Sequence, residues 1–205
     1  MRPIALVLVP VGSHAPAPPR AAVLGDAGGN DTSIDHLTGE TRRQWLMLEQ
    51  DLLDAGIEPR ILSTLRTCAK QNELYGIGRS EGDSRKIVTQ AQGCRSWHVL
   101  GRAIDVILYR DGVKAGEEAY QIMGALAKAR GWKWGGDFPG FPDLVHVEWH
   151  PGLTTEQVCP DVYDCETTQE RALSEPDAGD ESGGFPWLPF LGVATVAGVV
   201  WALRR

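Results

Sequence analysis

Apolar side chains between residues 38 and 56 recur at helical spacing. Trp45, Leu46, Leu48, Leu52 and Leu53 gather near one face, the run opens at Thr38 or Glu40, and Gly56 ends it, which predicts a helix. Arg60 to Leu65 reads as a strand, and Cys68 to Gly78 as a short helix. A polar loop over 82–93 leads to a second strand, Ala103 to Tyr109, with Asp111-Gly112 as a hairpin turn. Glu117 to Arg130 carries Ile122, Met123 and Leu126 on an amphipathic helix that Gly131 stops. Strand patterning returns at Trp132 to Trp134 and at Leu144 to Trp149. Helices and strands interleaved with hairpin signals predict an α+β domain, a small antiparallel sheet with flanking helices.

The two ends are patterned differently. Met1-Arg2 followed by the apolar run Ile4 to Val9 has the form of a short export signal within residues 1–19. Residues 20–36 read as a linker and 37–165 as the folded domain. Residues 166–184 are acidic and rich in Ser, Gly and Asp, the composition of a disordered spacer. Trp187 to Leu203 is uncharged and almost wholly apolar; as a helix it would span roughly 25 Å, slightly short of a bilayer core of about 30 Å. Pro186 and Pro189 suit its first turn, and Arg204-Arg205 favours a cytoplasmic tail. Residues 185–205 are thus expected to be a C-terminal transmembrane helix or a processed sorting tail. The domain would be exported and membrane-anchored, on the periplasmic or extracellular side. The net charge of −7 over 205 residues leaves no electrostatic footprint for nucleic acid, and the chain is expected to act as a monomer.

The chemistry concentrates in two segments. Ser96-Trp97-His98-Val99-Leu100-Gly101-Arg102-Ala103-Ile104-Asp105 is followed by Asp143-Leu144-Val145-His146-Val147-Glu148. Together they offer two imidazoles and a carboxylate as zinc ligands, with a spare carboxylate three residues before the second His. In one straight strand His98 and Asp105 would lie roughly 23 Å apart on opposite faces, so the chain must bend between them. Gly101 tolerates the backbone angles of such a bend. On a strand from Leu144 to Trp149, His146 and Glu148 share one face while the valines face the core. Glu148 lies roughly 7 Å beyond His146, which favours a partner that orients a ligand over the competing role of base. His150, on the same extended face, would sit about 13 Å from His146. A helical His-x-x-x-His zinc motif at 146–150 is disfavoured by the β-branched residues, Pro151 and the misplaced Glu.

The first segment resembles the Ser-x-His-x-x-Gly-x-Ala-x-Asp signature of the zinc D-alanyl-D-alanine carboxypeptidase and L-alanyl-D-glutamate endopeptidase family, which includes vancomycin-resistance D,D-peptidases and phage endolysins and is related in fold to the hedgehog domain. His146-Val147-Glu148 resembles that family's metal-binding strand. Ile61 to Arg66 with Gln71 and Leu74-Tyr75 resembles its arginine block, and Trp134-Gly135-Gly136-Asp137 its Trp-Gly-Gly-Asp turn. The resemblance runs from about Leu37 to His150 and implies hydrolysis of peptide bonds in the peptidoglycan stem. It implies His98, Asp105 and His146 as Zn2+ ligands and Asp143 as the general base, where the vancomycin-resistance branch carries Glu. Arg66 would stabilise the oxyanion. Ser96 would bind a substrate carboxylate or cap local backbone, and Gln71 would contact substrate or stabilise the fold. The alternative is a non-catalytic zinc domain that binds cell wall or signals while tethered to the membrane.

The four cysteines, Cys68, Cys94, Cys159 and Cys165, lack Cys-x-x-Cys spacing, which argues against a cysteine zinc knuckle. Export permits disulfides. Cys159–Cys165 would close a short loop and Cys68–Cys94 would tie the helix at 68–78 to the His98 segment; buried free thiols are the other expectation.

Overall fold

The computed structural model describes residues 30–174. The expected export signal and the expected transmembrane helix lie outside these residues, and among the described residues no helix is long and apolar enough to cross a membrane. Helix α1 (Gly39–Asp54) is followed by β1 (Glu58–Ser63), α2 (Cys68–Gly76), β2 (Ala103–Arg110) and β3 (Val113–Lys114). Next come α3 (Glu117–Ala129), β4 (Lys133–Trp134), β5 (His146–Glu148), α4 (Thr155–Val158) and α5 (Cys165–Ser174). The sheet runs β1-β2-β5-β4 with β3 paired to β2, and the described pairings are antiparallel. The expected α+β sheet with flanking helices is therefore what forms.

One apolar core explains the layering. Trp45, Leu48 and Leu52 of α1 and Tyr120, Met123 and Ala127 of α3 pack on Ile104, Val106 and Leu108 of β2 and Val147 of β5. Burying these side chains supplies the main driving force, about 25 cal/mol per Å² of apolar surface removed from water. Asp111 and Gly112 both take positive φ, 53° and 76°, in the tight turn expected between β2 and β3. Gly124 of α3 lets the helix approach the Trp134 ring, because a Cβ there would lie 2.4 Å from two ring carbons.

Three parts depart from the patterning. Strand β5 is only three residues long, so the chain beyond Glu148 leaves the sheet. Residues 30–36, expected as linker, pack on the end of β1: Asp31 N–H donates to the Leu65 carbonyl at 2.8 Å and Thr64 N–H to the Asp31 carbonyl at 2.7 Å. Residues 166–174, expected as disordered spacer, form most of α5. Its composition is polar, but Thr168, Gln169, Ala172 and Leu173 are buried, and tertiary contact overrides the weak local signal.

The cysteines pair as Cys68–Cys165 and Cys94–Cys159, and none is free among the described residues. Neither expected pairing forms. Both bonds instead join the segments before the metal motif to the chain after β5, because the 159–174 region folds back across them. Gln169 completes that return by donating to the carbonyls of Arg66 at 2.6 Å and Val99 at 2.8 Å.

Candidate metal centre

Sheet register sets the first pair of donors. Asp105 on β2 and His146 on β5 are direct cross-strand partners, so their side chains leave the same face of the sheet. The third donor comes from the bend. Residues 96–101 wind through a tight turn, with Val99 N–H donating to Ser96 O and Gly101 N–H to His98 O. Gly101 closes it at φ +66°. A Cβ at Gly101 would also crowd the tip of the Leu173 side chain at 2.9 Å and the His36 carbonyl at 3.3 Å, but it is the positive φ that calls for glycine. The register slips between Ile61 and Ser63, which pairs Ser63 at the end of β1 with Asp105.

His98, Asp105 and His146 form a group whose ligand atoms lie within 4.8 Å of one another, and all three residues are buried. His98 Nε2 is 3.1 Å from Asp105 Oδ1 and 3.2 Å from His146 Nδ1. The third side, His146 Nδ1 to Asp105 Oδ1, is 2.9 Å. Donors on a tetrahedral zinc at about 2.0–2.1 Å would be separated by about 3.3 Å, close to this triangle.

The surrounding bonds aim lone pairs inward. His98 Nδ1–H donates to the Thr64 carbonyl at 2.7 Å, which leaves Nε2 as an acceptor. Burial keeps the His98 pKa low, which favours the neutral ring. His146 Nε2–H donates to Glu148 Oε2 at 3.2 Å, which leaves Nδ1 for the triangle. Arg66 Nη2 donates to Asp105 Oδ2 at 2.5 Å and leaves Oδ1 facing the two rings. Three acceptors converging in a buried site repel one another unless a positive charge joins them. Burial opposes charge on His146, yet hydrogen bonds to Asp105 and Glu148 push its pKa up to about 10. Asp105 is held well below the usual carboxylate range: burial works the other way, but His98 and His146 outweigh it. The residues therefore fit a divalent cation, and this donor set suits zinc.

Asp143 stands beside the triangle. Its N–H donates to the Gly135 carbonyl at 2.8 Å, and its carbonyl accepts from His146 N–H at 3.3 Å. The Trp-Gly-Gly-Asp turn thus seats both residues, and no side chain fits at Gly135, where a Cβ would lie 2.4 Å from the Asp143 carbonyl oxygen. Burial raises the Asp143 pKa above its ordinary value, which makes its carboxylate a better proton acceptor. Asp143, His98, Asp105 and His146 line one cleft of ≈ 450 Å³ with Arg66 and Ser96. Val88, Phe138 and Phe141 supply apolar wall to the same cleft.

Most of the residues singled out from sequence meet here. Glu148 sits behind His146, as its place on the strand face suggested. Arg66 is more tightly engaged than an oxyanion role alone requires: besides Asp105 it donates to Asn30 Oδ1 and Gln71 Oε1, each at 3.3 Å. Gln71 is fully buried and donates to Ala91 O at 2.8 Å, so it supports Arg66 and the cleft wall. Sequence reasoning missed Asn30, Gln169 and His150. Asn30 and Gln169 carry no motif signal. His150 was placed about 13 Å away on a longer strand; the chain curls instead, and His150 Nε2 lies 2.8 Å from Glu148 Oε1.

Comparison with known proteins agrees with the resemblance read from the motifs. A family model described as D-alanyl-D-alanine carboxypeptidase matches residues 89–149. The chain is 35% identical over 107 residues to the peptidoglycan L-alanyl-D-glutamate endopeptidase CwlK of Bacillus subtilis, covering 47% of this chain and 63% of that protein. It is 30% identical over 100 residues to the L-alanyl-D-glutamate peptidase of Listeria phage A118, covering 46% of this chain and 31% of that protein. The chain thus spans less than two thirds of the length of these curated relatives. The crystal structure of the Serratia marcescens L-Ala D-Glu endopeptidase ChiX matches with a TM-score of 0.43 at 20% identity, over 62% of this chain and 95% of that one.

Proposed function

We propose that this chain is a zinc-dependent peptidase that cuts peptide bonds in the peptidoglycan stem, with the L-alanyl-D-glutamate linkage as its substrate bond. The observation that carries the reading is the triangle of His98, Asp105 and His146, with sides of 2.9–3.2 Å, in one cleft with the half-buried carboxylate of Asp143. Catalysis needs that adjacent base, whereas a domain that only binds cell wall does not. The choice of linkage follows the names of the two curated relatives.

His98, Asp105 and His146 hold the cation, and Glu148 fixes the His146 ring. Bound zinc would polarise the scissile carbonyl and make water a nucleophile near neutral pH. Asp143 takes the proton from the attacking water at a carboxylate oxygen and returns it to the leaving amine. Arg66 holds Asp105 and offers positive charge where the oxyanion develops. Ser96 meets substrate in the cleft, while the apolar wall around Phe138 excludes water. One chain supplies every group, so a monomer suffices.

Export and anchoring through residues 1–19 and 185–205 belong to the same proposal, because peptidoglycan lies outside the cytoplasmic membrane. External protease should digest the domain in intact spheroplasts. The test of activity is mass spectrometry of muropeptides after incubation with zinc-loaded protein. Products split between L-alanine and D-glutamate are expected. Intact muropeptides alongside about one bound zinc would turn the reading to a binding domain, and loss of terminal D-alanine would change the substrate bond.

A further inference from the structure

We propose that His150 is a positioning residue: it holds Glu148, and through Glu148 the ring of His146, in the orientation the metal centre requires. The inference rests on the zinc peptidase reading and deepens it. His150 lies just beyond the stretch matched by the family model and outside the ligand triad.

The chain makes this contact possible by leaving the sheet one bond after β5 ends. Strand β5 ends at Glu148, Trp149 N–H donates to Arg102 O at 2.8 Å, and Leu153 N–H donates to the His150 carbonyl at 3.0 Å. Gly152, at φ +73°, completes the turn. The His150 ring folds back under the strand, where it is buried. Its Nδ1–H donates to the Leu153 carbonyl at 2.9 Å, and its Nε2 is 2.8 Å from Glu148 Oε1. The ring thus bridges the Leu153 carbonyl and the Glu148 carboxylate.

Glu148 is therefore held at both oxygens, Oε1 by His150 and Oε2 by His146 Nε2 at 3.2 Å. A carboxylate gripped at both ends cannot rotate, and its grip fixes which nitrogen of His146 faces the donor triangle. A second observation points the same way. The His150 ring stacks on Trp97, with centroids 4.0 Å apart and planes 12° from parallel. Trp97 directly precedes the ligand His98. One buried ring therefore braces both segments that carry the imidazole ligands: His98 through its neighbour Trp97, and His146 through Glu148.

The test measures zinc affinity of the full chain by competition with a chelator, apart from any turnover. His150→Phe keeps a ring to stack on Trp97 and removes the donor. It should weaken zinc binding by about 10–100-fold, the usual effect of losing an outer partner of a ligand. In a Glu148→Gln background the same change should cost less than about threefold, because His150 acts through Glu148. His150→Gln, which keeps an amide donor, should restore most of the affinity and covers the case in which His150→Phe fails to fold. Affinity of His150→Phe within twofold of wild type, or an equal loss in both backgrounds, overturns the inference while leaving the peptidase reading standing. A wild-type chain that binds no zinc overturns both.

Discussion

Gly135→Ala isolates the geometry of the proposed base from its chemistry. The substitution adds one methyl group and removes no reacting atom. That methyl carbon would lie 2.4 Å from the Asp143 carbonyl oxygen, 3.0 Å from His146 Cβ and 3.1 Å from Asp143 Cβ. Ordinary contact begins near 3.4 Å, so the Asp143 backbone must retreat by about 1 Å. Both its anchors are affected, since Asp143 N–H donates to the Gly135 carbonyl and its own carbonyl accepts from His146 N–H. A displacement of about 1 Å at a catalytic group costs on the order of 100-fold in rate, or about 2.7 kcal/mol of transition-state stabilisation. The assay compares turnover of a defined muropeptide with thermal melting of the zinc-loaded protein. The expected result is a large loss of kcat with a folded, zinc-bearing chain. Gly135→Ala turning over within threefold of wild type would refute the claim that this turn sets the position of Asp143.

Asp143→Asn should keep about one zinc and lose turnover by about 100-fold or more, read by metal analysis beside kinetics; equal loss of zinc would make Asp143 a ligand instead. Metal affinity should also depend on pH. Without metal the His146 pKa is raised to about 10, so near neutrality zinc must displace a proton. Affinity should then rise up to about tenfold per pH unit below that value, and chelator competition at pH 6, 7 and 8 checks the slope; a flat profile would remove the proton from the site. Replacing both Cys68 and Cys165 by Ser removes a link across 97 residues. Chain entropy sets the loss at up to about 4.7 kcal/mol, to be measured as a shift in denaturant midpoint. Because the bond also anchors α5, whose Gln169 holds the Arg66 and Val99 carbonyls, zinc affinity should fall with it.

What could be read from the sequence follows from local rules. The helix at α1, the Asp111-Gly112 turn and the amphipathic run of α3 each report on neighbours a few residues away and formed as expected, but of the apolar face expected on α1 only Trp45, Leu48 and Leu52 are buried, while Leu46 and Leu53 stay exposed. The cluster of His98, Asp105 and His146 was legible because metal chemistry restricts candidate ligands to few residue types, and Gly101 marked the bend that lets His98 meet Asp105. Contacts between distant parts of the chain were not legible. The cysteine pairing depended on the return of residues 159–174, and residues 166–174 of α5 looked like spacer because their four buried side chains, two of them polar, make a weak pattern. His150 was misplaced because strand periodicity fixes a direction only while the strand lasts. Where β5 stops at Glu148, the next residues answer to a turn and to a Trp97 ring from another segment, and only the folded chain brings those together.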